Sequence, residues 1–316
     1  MNRYFLSVVC LILGIGLSGC LGALGNGQNE NELPLPKYRL RYHLAKGRKF
    51  IVKASISSET LSKPRKTASS VDYQDEVVFL VKSVDTKGNA LIETWTEKNR
   101  VRFKTGDQIS EFDSSVNYDK ISPFLIEFPA TLNVPIQFEL SPQGEIIQIM
   151  DTDAAVGKVL QKADALSGGD EYDIDYLKAL YSAEFWEDNL IFAIPPLPGK
   201  SISVGESWTY ERHSKVNPPT LIKSECTLAE ATKSEFRVKC TDKIRLEPGR
   251  PVKSIVKIDF REYKATRQSH YGFDRKTGWL IRADRELITH ESKQVGGRLI
   301  VNDRDAISTQ TWINFE

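Results

Sequence analysis

The stretch EVVFLVKSVDTKGNALIETWT, residues 76–96, decides the fold class of this 316-residue chain. Its two arms are rich in β-branched and large apolar residues, and the polar residues 85–89 between them include Gly88. Two such arms around a short glycine-containing turn are typical of an antiparallel β-hairpin. We therefore expect one strand before Gly88 and a second strand after it.

Similar pairs of segments occur on both sides of this hairpin. Short stretches that alternate between apolar and polar residues flank turns rich in Gly, Pro, Asp and Ser. Period-two alternation is the pattern of a strand with one buried face. Together the pairs predict antiparallel meanders. The predicted strand segments are residues 38–42, 50–56, 101–104, 109–112, 136–140 and 145–150.

The second half of the chain shows the same order of features. A turn at Gly205 leads into a strand, a hairpin is centred on residues 229–234, and the turn at residues 274–278 corresponds to the one at residues 141–144. The sequence therefore predicts a mainly β protein with two related antiparallel halves, each half-barrel or sandwich-like. The alternative is that the likeness only reflects the alternation shared by all antiparallel proteins.

Between the two halves the apolar spacing becomes that of a helix. Residues 153–166 and 172–190 have this spacing, Gly168-Gly169 separates them, and three prolines at 195, 196 and 198 follow. Residues 139–190 are also strongly acidic, so we expect this helical insert to lie against the more basic second half. The helix face predicted to be buried carries Ile174, Leu177, Leu180 and Tyr181.

The N-terminus has the pattern of a bacterial lipoprotein signal. Arg3 precedes an apolar stretch at residues 5–15, and Leu17-Ser18-Gly19-Cys20 follows as a lipobox. The small residues before Cys20 suit a signal peptidase, and the Cys20 thiol accepts a diacylglycerol, so a palmitate-bearing anchor is expected. A signal peptide without lipidation and a short membrane anchor are the alternatives, although the stretch is short for a full membrane span.

This reading divides the chain into five parts and places it in the cell envelope. Because residue 21 is Leu rather than Asp, sorting to the outer membrane is expected if the host is a diderm bacterium. The five predicted parts are a signal peptide (residues 1–19), the lipidated cysteine and a flexible tether (20–36), the first β-rich half (37–150), the helical insert (151–194) and the second β-rich half (195–316).

Two cysteines, Cys226 and Cys240, remain after Cys10 leaves with the signal peptide and Cys20 is lipidated. They lie in two strand-like segments around a polar turn, and a hairpin centred near Lys233 places them opposite each other. An oxidising envelope permits a disulfide at that distance. Two cysteines without clustered histidines do not make a zinc site, so we predict a structural disulfide and no metal.

Charge and motifs argue against several function classes. With 43 basic and 42 acidic residues, the chain lacks the basic surplus that nucleic-acid binding requires, so we expect no nucleic-acid partner. The chain has four histidines, His43, His213, His270 and His290, and none of them belongs to a nucleophile motif. The stretches that resemble cofactor-binding motifs lack the flanking residues and elements that those motifs require. We therefore expect no cofactor, no catalytic residue and no enzymatic activity.

The lipobox cysteine, the polar tether, the two β-rich halves and the run Val204-Gly205-Glu206-Ser207-Trp208 together resemble an uncharacterised family of bacterial lipoproteins. That family has no assigned activity, so the resemblance implies fold and location only. Within the Val-Gly-Glu-Ser-Trp motif, we expect a glycine turn that leads into a strand whose Trp208 packs inward.

Three hypotheses about function follow. The first is a non-enzymatic binding or structural module that is anchored to the membrane and contacts an envelope protein, a polysaccharide or a lipid. The second is a carrier or sensor of a lipid or another apolar ligand, and the third is a hydrolase. A filled core supports the first, an apolar cavity the second, and a carboxylate pair with opposed pKa shifts the third. The aromatic residues expected to line such a cavity are Trp95, Phe103, Phe138, Trp208 and Trp279.

Overall fold

The computed structural model describes residues 36–63, 67–118, 121–215, 218–247, 259–295 and 298–315. The signal sequence, Cys20 and the predicted tether up to residue 35 therefore lie outside the described residues.

Twelve strands account for most of the described residues. They are β1 (Lys49–Lys63), β2 (Thr67–Val84), β3 (Ala90–Thr105), β4 (Gln108–Asp113), β5 (Ile136–Leu140), β6 (Ile146–Met150), β7 (Ser207–Ser214), β8 (Thr220–Ala231), β9 (Glu235–Leu246), β10 (Asp259–Asp274), β11 (Leu280–Val295) and β12 (Arg298–Phe315).

All twelve strands belong to one antiparallel sheet, which confirms the predicted fold class. The order is β6-β5-β3-β2-β1-β12-β11-β10-β9-β8-β7, with β4 paired to β3, and the sheet is not closed into a barrel. The two halves meet where β1 pairs with β12 along its whole length, from Lys49 opposite Phe315 to Lys63 opposite Val301. From this seam the strands follow in chain order on one side and in reverse order on the other.

The hairpin that decided the fold class forms as expected between β2 and β3. Its turn is closed by Asp85, whose side chain accepts hydrogen bonds from the backbone N–H groups of Lys87 and Asn89, both at 2.8 Å. Gly88 has a φ of +89°, which a residue with a Cβ adopts only with strain. Turn chemistry and apolar arms therefore specify the same structure here.

The segment of residues 38–42, predicted to be a strand, joins the sheet only through one isolated bridge between Tyr38 and Ile202. Its backbone instead bonds to the turns of two distant hairpins, since Tyr42 donates to the Pro142 carbonyl (2.8 Å) and His43 to the Thr277 carbonyl (2.7 Å). The strand prediction was wrong because alternation also suits an extended segment that packs across the end of a sheet.

The described residues contain four helices: α1 (Glu127–Thr131), α2 (Thr152–Ser167), α3 (Ile174–Leu180) and α4 (Ala183–Ala193). The predicted helix over residues 172–190 is therefore divided at Tyr181 and Ser182, because the Ser182 side chain caps a new helix by accepting from the Phe185 N–H. Leu177, Leu180 and Tyr181 are buried as predicted, but Ile174 is 45% exposed, and Tyr176 is buried in its place. Among the described residues, no helix is long and apolar enough to cross a membrane.

The main core lies on the inner face of the sheet and draws on both halves of the chain. Strands β1, β2, β3 and β5 contribute from the first half, and β8 to β11 from the second. Segments of residues 38–44 and 190–202 fill the space between these strands. Phe50 and Trp279 stack at its centre, with ring centroids 4.5 Å apart. Burial of large aromatic groups supplies much of the stabilisation of such a core.

The predicted disulfide is present between Cys226 of β8 and Cys240 of β9. The two residues are directly opposite in the hairpin, with Cα atoms 4.1 Å apart, and both side chains belong to the main core. The bond therefore fixes the register of a hairpin close to the β7 edge of the sheet.

Replacing both cysteines by alanine should lower the free energy of unfolding by about 3 kcal/mol, because the reduced unfolded chain regains the freedom of a closed loop of this length. Urea unfolding of the variant and of the oxidised wild type measures this loss. The reduced wild type is the control that creates no cavity, and it should lose a similar amount. Equal stability of all three forms would contradict a stabilising role.

Candidate functional site

A depression of about 520 Å³ lies on the outer face of the sheet, the face opposite the main core. We call it the outer depression. Its walls are formed by strands β8 to β11, and the charged or polar side chains that line it are Glu230, Glu235, Arg237, Lys239, His270 and Arg282.

Gly272 of β10 lines the depression and leaves room there for the side chain of Glu235. Gly272 lies directly opposite Arg237 of β9 on one side and Arg282 of β11 on the other. A Cβ at this position would lie 2.4 Å from Oε1 of Glu235, which folds across the glycine. The pairing of β10 with β11 shifts register between Gly272 and Phe273. His270 and Gly272 are two residues apart before this shift and lie on the same outward face.

Ion pairs hold the charged walls in position. Arg237 pairs with Glu230 at 2.7 Å and with Glu235 at 3.1 Å, and Arg282 pairs with Asp284 at 2.8 Å. Pairs at this level of exposure add little stability. Their effect is to orient donors and acceptors around one recess, in which neither sign of charge dominates.

This mixture of groups suits a polar ligand rather than an apolar chain. Guanidinium and ammonium groups donate hydrogen bonds, carboxylates accept them, and an imidazole such as that of His270 has two ring nitrogens that can take part in hydrogen bonds. The volume is within the range of small-molecule sites, although such sites are usually more apolar. The outer depression therefore offers hydrogen-bond partners of both kinds at fixed spacing.

A second polar group lies on the inner face, around the C-terminal end of α4. Arg212 of β7 donates to the carbonyl oxygens of Ile191 and Ile194, and Arg285 of β11 donates to that of Ala193. The carbonyls at a helix C-terminus have no partner within the helix, and this end of α4 carries no basic residue of its own. Two arginines from distant strands supply the missing donors.

Arg267 of β10 completes this group. Its Nε donates to Oδ2 of Asp242 at 2.5 Å, directly across from β9, and its guanidinium lies 4.8 Å from the centre of the Phe192 ring. The side chain is 4% exposed and that of Arg285 is 1% exposed. We call Arg212, Arg267, Arg285 and Asp242 the inner arginine cluster.

Neither polar group was predicted, but the sequence contains a signal for the inner one. Arg267 alternates in phase with Ala265 and Ser269 of β10, and Arg285 alternates in phase with Ala283 and Leu287 of β11. Arginines in the phase of the buried residues indicate a polar interior. Gly272 gave a weaker signal, since a glycine inside a strand marks close approach of another group only in some cases.

The aromatic residues expected to line an apolar cavity are packed instead. Phe138 and Trp279 belong to the main core, and Phe103 belongs to a separate core with residues of β3, β4 and α1. Trp208 packs against the main core and donates to the Pro196 carbonyl at 3.3 Å. Trp95 is half-buried on β3, opposite Val78.

The Val-Gly-Glu-Ser-Trp motif forms the predicted turn into a strand. Gly205 has a φ of +88°, and its N–H donates to the Leu228 carbonyl at 2.8 Å. The Glu206 side chain accepts from the Ser203 N–H, and β7 begins at the next residue. The motif therefore connects the insert to the sheet, and its tryptophan packs against the core.

Two buried carboxyl groups have raised pKa values. Burial raises the pKa of Glu127 in α1 to about 8 and that of Asp75 in β2 to about 7. Both shifts are in the same direction, so these two groups are not a pair with opposed pKa values. Among the described residues, no group of three or more His, Cys, Asp or Glu side chains is arranged to hold a metal ion.

A family model matches residues 87–280, which include most of the sheet and the whole helical insert. The model is that of DUF6263, a family of unknown function. The chain belongs to this family. Membership in DUF6263 confirms the expectation of an uncharacterised family, while the lipobox lies outside the matched residues. Comparison with curated proteins found no significant match.

Two solved structures show weak similarity to this DUF6263 protein. A lipovitellin structure describing lipid–protein interactions is 11% identical with a TM-score of 0.44 and covers 86% of this chain. The chain spans only 25% of that lipovitellin. OccK7 (OpdD) of Pseudomonas aeruginosa is 6% identical with a TM-score of 0.23, and the match covers 86% of this chain and 100% of the other. Similarity at this level carries no conclusion about function.

Replacing Glu127 by glutamine should remove part of the pH dependence of stability. An unfolded glutamate titrates at about 4.3, whereas burial raises the pKa of Glu127 to about 8. The folded state therefore binds this proton more tightly, and the associated stability is full below the unfolded pKa and lost as the pH rises toward 8. The loss between pH 5 and pH 8 is on the order of 3 kcal/mol.

Urea unfolding at several pH values tests this expectation. The difference in stability between wild type and Glu127→Gln isolates the effect of Glu127, because Asp75 titrates in both proteins. The exposed Glu111 of β4, replaced in the same way, is the matched control and should keep the wild-type slope. A Glu127→Gln variant with an unchanged slope would show that the carboxyl is not buried as described.

Proposed function

We propose that this DUF6263 protein is a lipid-anchored, non-enzymatic binding module of the bacterial envelope, and that it binds a segment of an envelope polysaccharide in the outer depression. The observation that carries the proposal is the recess around Gly272, walled by both arginines and glutamates. Sugar hydroxyls both donate and accept hydrogen bonds, so a lining of mixed charge satisfies them better than a lining of one sign.

The packing of the interior supports this choice over a carrier of apolar ligands. Phe138 and Trp279 are nearly inaccessible, and the segments of residues 38–44 and 190–202 occupy the inner face between the two halves of the sheet. An apolar chain bound there would have to displace part of the main core. The outer depression is open without any rearrangement.

The proposed anchor suits a ligand that lies away from the bilayer. Lipidation at Cys20 would hold the chain to the membrane, and residues 20–36, rich in Gly, Asn and Glu, would act as a tether. A fully extended tether of this length reaches about 55 Å. The module would therefore sample the layer of polysaccharide next to the membrane.

Filling the depression tests the proposal. Gly272→Leu should weaken polysaccharide binding at least about tenfold, because its side chain occupies the recess and displaces Glu235. Binding is measured by calorimetry with purified peptidoglycan fragments and the polysaccharide portions of bacterial surface glycolipids. Thr266→Leu is the matched control, since Thr266 lies on the same strand and the same exposed face outside the depression.

Lys239→Ala provides a second variant that leaves the strand geometry intact. It removes one donor from the depression and should also weaken binding, while circular dichroism and thermal unfolding show that both variants are folded. No binding of any of these glycans by the folded wild type would overturn the polysaccharide ligand. If a crosslinker at position 239 captures an envelope protein, the partner of the outer depression is a protein rather than a polysaccharide.

A Cys20→Ser variant tests the anchor. Without the thiol no diacylglycerol is attached. The protein should therefore be recovered in the soluble fraction or accumulate as an uncleaved precursor. Metabolic labelling with radioactive palmitate should be lost. A Cys10→Ser variant is the matched control within the signal sequence and should be labelled like the wild type. Equal labelling of both variants would contradict lipidation at Cys20.

A further inference from the structure

The inner arginine cluster contains more positive than negative charge. Arg212, Arg267 and Arg285 face one carboxylate, that of Asp242, and the end of α4 adds about half a negative charge through its carbonyls. Burial lowers the pKa of Arg212 and of Arg285, and the charge of Arg267 lowers each further. Arginine stays protonated in proteins, so the surplus positive charge is present in the folded state.

Several hydrogen-bond donors of the cluster have no acceptor among the residues that the structure describes. Within this part of the chain, Nη1 of Arg267 and both Nε and Nη1 of Arg285 are buried without a partner of ordinary geometry, although the Tyr271 hydroxyl is close enough to Arg285 to interact with it. Oδ1 of Asp242 also lacks a partner among the described residues. Buried donors and buried charges are normally compensated, because leaving them unpaired is costly.

We propose that the inner arginine cluster is a binding site for one oxyanion, the phosphate or carboxylate group of a small molecule or of a lipid headgroup, held between Arg267 and Arg285. Guanidinium groups bind both oxyanions through paired N–H donors. The site is separate from the outer depression, because it lies on the opposite face of the sheet.

The position of α4 limits how the anion enters. Arg212 and Arg285 bind carbonyls of its last turn, and the Phe192 ring covers Arg267. An anion that binds between Arg267 and Arg285 therefore requires this turn to move. The anion is therefore expected to dissociate slowly and to remain with the protein during purification.

Purified protein tests for the anion directly. After denaturation and organic extraction, phosphorus NMR and mass spectrometry of both the aqueous and the organic phase should reveal about one phosphate or carboxylate per chain. A signal in the aqueous phase as inorganic phosphate identifies a free ion, and an ester or fatty acid in the organic phase identifies a lipid. If wild type prepared from cells yields neither a free anion nor a lipid, the proposal that the protein retains an anion is overturned.

Thermal unfolding separates this site from general salt effects. In wild type that has been denatured to remove the anion and then refolded, replacing sodium chloride by sodium phosphate at constant ionic strength, or adding a single-chain phospholipid below its micellar concentration, should raise the melting temperature by about 5 °C. Arg285→Met should lose this increase. Arg304→Met, which removes another buried arginine of the inner face, should keep it.

The proposal would be overturned if the melting temperature rose equally in wild type, Arg285→Met and Arg304→Met, or if it rose in none of them.

A spectroscopic result would overturn the proposal as well. Burial raises the pKa of Tyr271, but the charges of Arg285 and Arg267 outweigh burial and lower it below the ordinary value. If near-ultraviolet spectra at neutral pH show a tyrosinate band that Tyr271→Phe removes, the tyrosine itself balances the cluster and no bound anion is required.

Discussion

The C-terminal end of α4 is buried against the inner face of the sheet, and its free carbonyl groups require donors there. Arg212 from β7 and Arg285 from β11 provide them. These strands are separated in the sheet by β8, β9 and β10, so one helix end ties an edge strand to a strand near the centre. The position of this helix end therefore depends on arginines from two strands that are not neighbours in the sheet.

Contacts between α4 and the second half also bring together residues of opposite charge. The insert is acidic, and Lys215 after β7 pairs with Glu187 of α4 at 2.6 Å, while Asp188 accepts from the hydroxyl of Ser214. Only α4 therefore meets the expectation that the insert lies against the second half, whereas α2 and α3 pack with Ile126, Ala130 and Ile136 of the first half. Exposed pairs of this kind contribute little on their own. The buried arginines and the carbonyls they bind determine where the helix ends.

Local features of the fold were predictable, and long-range ones were not. The hairpin at Gly88 and the Cys226–Cys240 pair depend on residues close in sequence, whose turn chemistry and alternation specify both register and partner. The pairing of β1 with β12 joins residues at opposite ends of the chain, and no local pattern encodes it. The packing of residues 38–42 across two hairpin turns has the same cause, because alternation indicates an extended backbone but not its neighbour. In the outer depression, the charged residues were visible in the sequence, but their meeting at Gly272 depends on the registers of three strands.

The seam between β1 and β12 sets the order in which the sheet can be completed. As the chain emerges from the ribosome or from a membrane channel, β2 pairs with β1 at once, whereas the other edge of β1 stays open until the last strand is available. Contacts across such a separation form slowly, because the intervening chain must first be ordered. An N-terminal half with an unpaired 15-residue edge is a template for pairing with other chains. The edge of β1 that β12 covers is therefore the part of the first half that can pair with other chains until β12 is in place.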